Sequence, residues 1–164
     1  IRSVYSGELT YAANWYRDYD LTDIWSEMDY IGVNAYFPLT ETANPSVEEI
    51  VAGWQPHLNR IGQLAASYGK PVLFTEIGYK NTRRTTVKPW EWPRRMENAV
   101  LDESEQANAY EALFQSVSVL SWFRGVFIWD WYPNSNRLSR ITFSPQNKQG
   151  AEILRKWYTY KEIE

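Results

Sequence analysis

The sequence predicts an α/β fold built on a parallel sheet with covering helices. Three observations carry that expectation. Four short apolar runs, rich in β-branched and aromatic residues, read as buried strands. Helical patterns lie between them, which is the alternation of a parallel α/β architecture. Eight scattered glycines form no G-x-G-x-x-G or Walker pattern, so the competing doubly wound sheet lacks its usual phosphate loop. A (β/α)8 barrel takes about 250 residues, roughly 31 per unit. Four strands in 164 residues therefore amount to half of a (β/α)8 TIM barrel with long loops.

The strands are expected at Leu9 to Asn14, Tyr30 to Tyr36, Pro71 to Glu76 and Gly125 to Trp131. A short helix from about Thr22 to Glu27, capped by Thr22, precedes the second. Ser46-Val47-Glu48-Glu49 reads as a capping box, because the Ser hydroxyl and the Glu carboxylate can satisfy each other's free backbone N–H groups. Val47, Ile50, Val51 and Trp54 continue one face of that helix. Pro56 has no N–H to donate and predicts a kink or a break, after which Leu58, Ile61, Leu64, Ala65 and Tyr68 resume the spacing up to a stop at Gly69. Ala107, Tyr110, Phe114, Val117 and Leu120 form a second amphipathic run, and Ala151, Leu154, Trp157 and Tyr158 a terminal one. The segment Asn134 to Ser139 is too short to divide domains, so residues 1–164 read as one domain.

Composition excludes several kinds of chemistry. The chain has no cysteine and a single histidine, His57, which removes disulfides, thiol nucleophiles, zinc-thiolate sites and His-rich metal centres. A net charge of −3 argues against nucleic-acid and anionic-membrane partners. No apolar run approaches the roughly 20 residues of a membrane span. Nine Trp and twelve Tyr are many for a domain of this size, and the start at Ile1 is what a processed product or an excised fragment would show.

Functional groups of parallel α/β folds collect at the C-terminal ends of strands. Those ends here are Asn14-Trp15-Tyr16, Asn34-Ala35-Tyr36-Phe37-Pro38, Thr75-Glu76-Ile77-Gly78-Tyr79 and Trp129-Asp130-Trp131-Tyr132. Aromatic faces stack on the C–H faces of sugar rings, while amides and carboxylates hydrogen-bond their hydroxyls, so the pairing suits a carbohydrate cleft. Glu76 ends an apolar strand, where a carboxylate is costly to bury unless it is paired or functional. A structural salt bridge is the plainer account of it. Core packing is the plainer account of Phe37, Phe127 and Trp15. Asp130 should face the helices by alternation with Trp129, and His57 reads as a surface or packing residue. Lys80 to Arg95 holds six basic residues with Trp90, Trp92 and two prolines, a composition open to a solvated loop, a cleft wall or, against the net charge, a single-strand nucleic-acid surface.

The segments Tyr5 to Trp15, Met28 to Leu39, Lys70 to Tyr79 and Gly125 to Trp131, followed by Phe143-Ser144-Pro145-Gln146, resemble strands five to eight of the retaining (β/α)8 glycoside hydrolases of clan A. The closest pattern is the β-mannanase-like family 113. The resemblance implies that Glu76 is the catalytic nucleophile and that Tyr36 hydrogen-bonds it. It also implies that Trp129 is the platform under the sugar. Asn34 stands where many clan members carry histidine. Asn14, Trp15, Trp131, Trp90 and Trp92 are further candidates for lining the cleft. The clan's acid/base is the Glu of an Asn-Glu pair ending strand four, and no asparagine here is followed by glutamate. The resemblance thus implies the C-terminal half of a retaining β-glycosidase for β-1,4-mannan or a related hemicellulose, with no cofactor, carrying the nucleophile without its acid. Unpaired strand edges near residues 9–14 and 125–131 predict association with the missing N-terminal half or with a second copy. A non-catalytic carbohydrate-binding module and a structural half barrel that self-associates are the alternatives.

Overall fold

Strands and helices alternate along the whole chain in the computed structural model, which describes residues 1–92, 98–134, 136 and 138–159. Arg94 and Arg95 of the basic loop, and residues 135 and 137 of the Asn134 to Ser139 segment, lie outside the described residues. The order is β1 (Thr10–Asn14), a 3-10 helix (Ile24–Glu27), β2 (Tyr30–Asn34), α1 (Val47–Tyr68), β3 (Val72–Ile77), α2 (Glu103–Val117), β4 (Phe123–Ile128) and α3 (Gln149–Thr159). All three strand pairings are parallel, and the sheet order β1-β2-β3-β4 follows the chain. That sequential order, each strand returning beside its predecessor through a covering segment, is the winding of a barrel rather than of a doubly wound sheet.

α1 starts at the expected capping box. Ser46 Oγ accepts from the Glu49 N–H at 3.2 Å, and Glu49 Oε2 accepts from the Ser46 N–H at 2.7 Å. It ends on Gly69, whose φ of 63° is the left-handed cap that glycine adopts without a Cβ penalty. The break predicted at Pro56 does not occur, and one helix runs through it. Losing one hydrogen bond there is offset by Ile50, Trp54, Leu58, Ile61 and Ala65, which bury a continuous stripe on both sides of the proline. α2 is capped by Asp102, whose Oδ1 accepts from the Glu105 N–H at 3.1 Å, and it stops before Leu120. The helix expected from Thr22 is a 3-10 turn, with Thr22 Oγ1 accepting from the Ile24 N–H at 3.4 Å.

One face of the sheet is buried beneath the helices. Ala13, Ile31, Val33, Val72 and Phe74 lie in one apolar cluster with Ile50, Trp54, Leu113 and Tyr110. Alternate strand residues point the other way. Ala12, Asn14 and Phe127 on that second face are exposed, and Leu73 and Thr75 are half-buried. Phe127 was expected in the core and is instead 62% exposed, because no helix covers the face it occupies. Phe37, by contrast, is buried as expected. The second strand stops at Asn34 rather than Tyr36, and the fourth at Ile128 rather than Trp131, so the aromatic ends extend past the ladder into the rim.

Candidate active site

The rim beyond the C-terminal ends of the strands is tied together one neighbour at a time by backbone hydrogen bonds. The Trp15 N–H donates to Asn34 O (3.1 Å), the Ala35 N–H to Glu76 O (2.7 Å) and the Trp129 N–H to Ile77 O (2.7 Å). Asn14, Asn34 and Glu76 are register partners and so form one row across β1, β2 and β3.

Glu76 reaches that row through a break in register. Between β3 and β4, the pairing steps from Phe74–Val126 to Ile77–Ile128, so β3 spends three residues where β4 spends two. A matching shift occurs against β2 between Val33 and Asn34. The extra residue is a bulge. Strict alternation would send Glu76 to the helix side with Phe74. With the bulge, Thr75 and Glu76 are both half-buried while Phe74 and Ile77 on either side are fully buried.

The Tyr36 phenol donates to Glu76 Oε2 at 3.2 Å. Burial, then the neighbouring Glu76 charge, pushes the phenol far above its ordinary range. Tyr36 is therefore a neutral donor at any ordinary pH, and its hydrogen bond orients the Glu76 carboxyl group. The Thr75 hydroxyl donates to Asn34 Oδ1 at 2.8 Å, which holds the amide beside the same row. Phe143 packs edge-on against Tyr36 (6.3 Å, 70°) and against Trp92 (6.1 Å, 82°). Trp15 stacks obliquely on Trp90 (4.7 Å, 30°) and meets Phe37 edge-on. Trp129 is 37% exposed, and its carbonyl lies so close to Gly78 that a Cβ there would stand 2.0 Å away.

The structure thus brings Glu76, Tyr36, Asn34 and Trp129 together, places Asn14 in the same row, and sets Trp15 with Trp90 and Trp92 with Phe143 in the surrounding loops. Trp131 lines a surface cavity with Gln146, Lys148 and Arg155. Asp130 lies toward the helices, as alternation suggested. Its charge adds to the rise in the Tyr110 phenol of α2, which burial causes first. His57 stacks on Phe37 at 4.4 Å and lies 3.1 Å from Pro38 O through Nε2, a packing role. The basic loop is no solvated excursion at its start, since Lys80, Asn81, Thr82, Thr85 and Thr86 are all buried. Sequence reasoning did not single out Thr75, Phe143 or Lys80 individually. Each left a signal only as part of a segment: Thr75 in the strand end, Phe143 in the Phe-Ser-Pro-Gln segment and Lys80 in the basic stretch read as a solvated loop or a cleft wall. Among the described residues no group of three or more His, Asp or Glu side chains could hold a metal ion.

Comparison with known proteins agrees with the fold. A family model described as Glycoside Hydrolase Family 113 matches residues 1–151. No curated protein sequence matches the chain. A GH113 β-1,4-mannanase solved as a complex is similar with a TM-score of 0.78 and 23% identity, over 96% of this chain and 47% of that one. The GH113 β-mannanase AaManA from Alicyclobacillus acidocaldarius, in complex with ManMIm, is similar with a TM-score of 0.75 and 23% identity over the same shares. A Faecalibacterium prausnitzii β-glucuronidase is similar with a TM-score of 0.59 and 18% identity, over 92% of this chain and 25% of that one. The chain therefore spans about half the length of the mannanases it matches, and its four parallel strands and helices correspond to half of their barrel. With the family model matching nearly its whole length, this chain belongs to glycoside hydrolase family 113.

Proposed function

We propose that this chain is the C-terminal half of a retaining β-glycosidase acting on β-1,4-linked mannan or a related hemicellulose, with Glu76 as its nucleophile. The observation that carries the reading is the Glu76 carboxylate at a strand end, re-aimed by a bulge and held by the neutral phenol of Tyr36. In this reading a Glu76 oxygen attacks the anomeric carbon as the glycosidic bond breaks, leaving a covalent glycosyl-enzyme that water then hydrolyses. Tyr36 orients the attacking carboxylate. Trp129 offers a partly exposed indole face to the sugar, and Asn34, Asn14, Trp15, Trp90 and Trp92 line the approach. Trp131, which lines a cavity with Gln146, Lys148 and Arg155, stands at the outer edge of that approach.

The leaving oxygen needs a proton from a second carboxyl group about 5–5.5 Å from the nucleophile. We assign that group to strands outside this chain. The isolated chain is then expected to hydrolyse little or nothing, and measurable turnover of mannan by it alone would count against the assignment. The full-length parent enzyme gives the direct trial. Glu76→Ala should lower its turnover by more than about a thousandfold, and wild-type activity would sink the reading.

An uncovered sheet face carrying Phe127, with β1 and β4 both at sheet edges, supports a covering partner. The missing half barrel is the partner this reading favours, and a second copy is the other.

A further inference from the structure

Lys80 follows Glu76 by four residues, just past the end of β3, and is only 1% exposed. Its ammonium donates to Lys88 O at 3.0 Å and to Pro89 O at 3.1 Å. It also lies 5.1 Å over the ring of Phe143. Among the described residues it makes no ion pair with a carboxylate. Burying an ammonium without such a partner is costly, so a lysine kept in this position must be held by what its three donors do. What they do is local. Lys88 O also accepts from the Glu91 N–H at 3.1 Å, so Lys80 caps the carbonyl side of the turn formed by residues 88–91. Trp90 projects from that turn onto Trp15, and Trp92 follows it onto Phe143, the ring that Lys80 covers and that also packs on Tyr36.

We propose that Lys80 is a positioning residue: its ammonium clamps the 88–91 turn to the end of β3, holding Trp90 against Trp15 and thereby setting the aromatic wall beside Glu76. The inference deepens the carbohydrate-cleft reading, and rests on it only for what the wall would bind. A methionine of similar length would keep the packing and lose the two carbonyl contacts. Burial lowers the Lys80 ammonium to about 8, against an opposing pull from Glu91, the charged group that faces it from the turn. Its charge therefore predominates at neutral pH and is lost on mild alkalinisation.

The indole pair supplies a readout independent of sugar and of turnover. Two indoles stacked this closely give an exciton couplet in far-ultraviolet circular dichroism, which Trp15→Phe and Trp90→Phe should each abolish in the intact chain. Lys80→Met should lose at least half of the couplet while keeping its helical signal and cooperative unfolding; an undiminished couplet would overturn the proposal. If Lys80→Met does not fold, the wild-type chain decides. Its couplet should decline with a midpoint near pH 8, whereas Lys80→Arg, charged throughout, should hold its couplet to about pH 9.5. A wild-type couplet flat across that range would overturn the proposal equally. Absence of binding of β-1,4-mannopentaose by the full-length parent enzyme, with an intact couplet response in this chain, would instead overturn the cleft reading and leave the clamp standing.

Discussion

Tyr36 and Glu76 stand forty residues apart in the chain and are joined at the sheet rim by a single hydrogen bond of 3.2 Å, phenol to carboxylate. Tyr36→Phe keeps the ring that packs on Phe143 and removes only the donor. A hydrogen bond to a charged group contributes about 1.5–3 kcal/mol. In the full-length enzyme the substitution should therefore slow turnover about 10- to 100-fold, while the thermal midpoint falls by no more than about ten degrees. Steady-state kinetics alongside a melting curve separates the two effects, and unaltered turnover would remove Tyr36 from the site.

Glu105, on the first turn of α2, is buried and accepts from two backbone donors, the Asn44 N–H at 3.0 Å and the Thr85 N–H at 2.8 Å. It pins the loops after β2 and β3 to one helix. Glu105→Ala leaves both amides without their acceptor and should cost about 2–4 kcal/mol in urea unfolding. Glu105→Gln, which keeps one acceptor oxygen, should cost less. Equal losses for the two variants would show that volume rather than acceptor chemistry matters there.

Two glycines should both lose stability on substitution by alanine, but for different reasons visible in their surroundings. A Cβ on Gly78 would meet Trp129 O at 2.0 Å, so Gly78→Ala must push the ends of β3 and β4 apart, at about 1–3 kcal/mol, with a change in Trp129 emission. Gly69, the α1 cap, has open space around it and pays only left-handed backbone strain, about 1–2 kcal/mol with no effect on Trp129. Indistinguishable emission spectra for the two variants would contradict the close approach.

His57 links stability to mild acid. Burial beside Phe37 lowers its pKa below 6.5, with the Pro38 carbonyl pulling partly the other way. A lowered folded value means that the unfolded chain binds the proton more readily. The contribution is therefore complete above about pH 6.5 and is lost as pH falls through the folded value. Urea midpoints at pH 7 and pH 5 should differ more for the wild type than for His57→Phe, which keeps a ring on Phe37 without a titrating nitrogen. Parallel curves would refute the linkage.

The half barrel's open face predicts association. Light scattering on the dilute chain should show a mass above 19.3 kDa, and Phe127→Lys should lower it by placing a charge in the contact. A wild-type monomer at micromolar concentration would count against a second copy as the partner.

Much of this was legible in the sequence because it is local. The capping box at Ser46, the stop at Gly69 and the carboxylate ending an apolar strand all depend on residues within a few positions of one another. At Pro56 the local rule allowed a kink or a break, and tertiary burial decides against the break: the stripe from Ile50 to Ala65 holds one helix across the missing hydrogen bond. Phe127 was misplaced for a related reason, since an apolar run does not say which of its faces a helix will cover.

The sequence by itself determined the alternation of strands and helices and the row of chemistry-bearing residues at the strand ends, because periodicity and capping are properties of short segments. Tertiary structure alone decided which way Glu76 points. That choice depends on an extra β3 residue between two neighbouring strands, a relationship no single segment contains. It likewise decided that Lys80 is a buried clamp rather than one more basic residue of a solvated loop, because the ring it covers, Phe143, comes from a distant part of the chain and the two carbonyls it holds converge on it only once the loop has folded back.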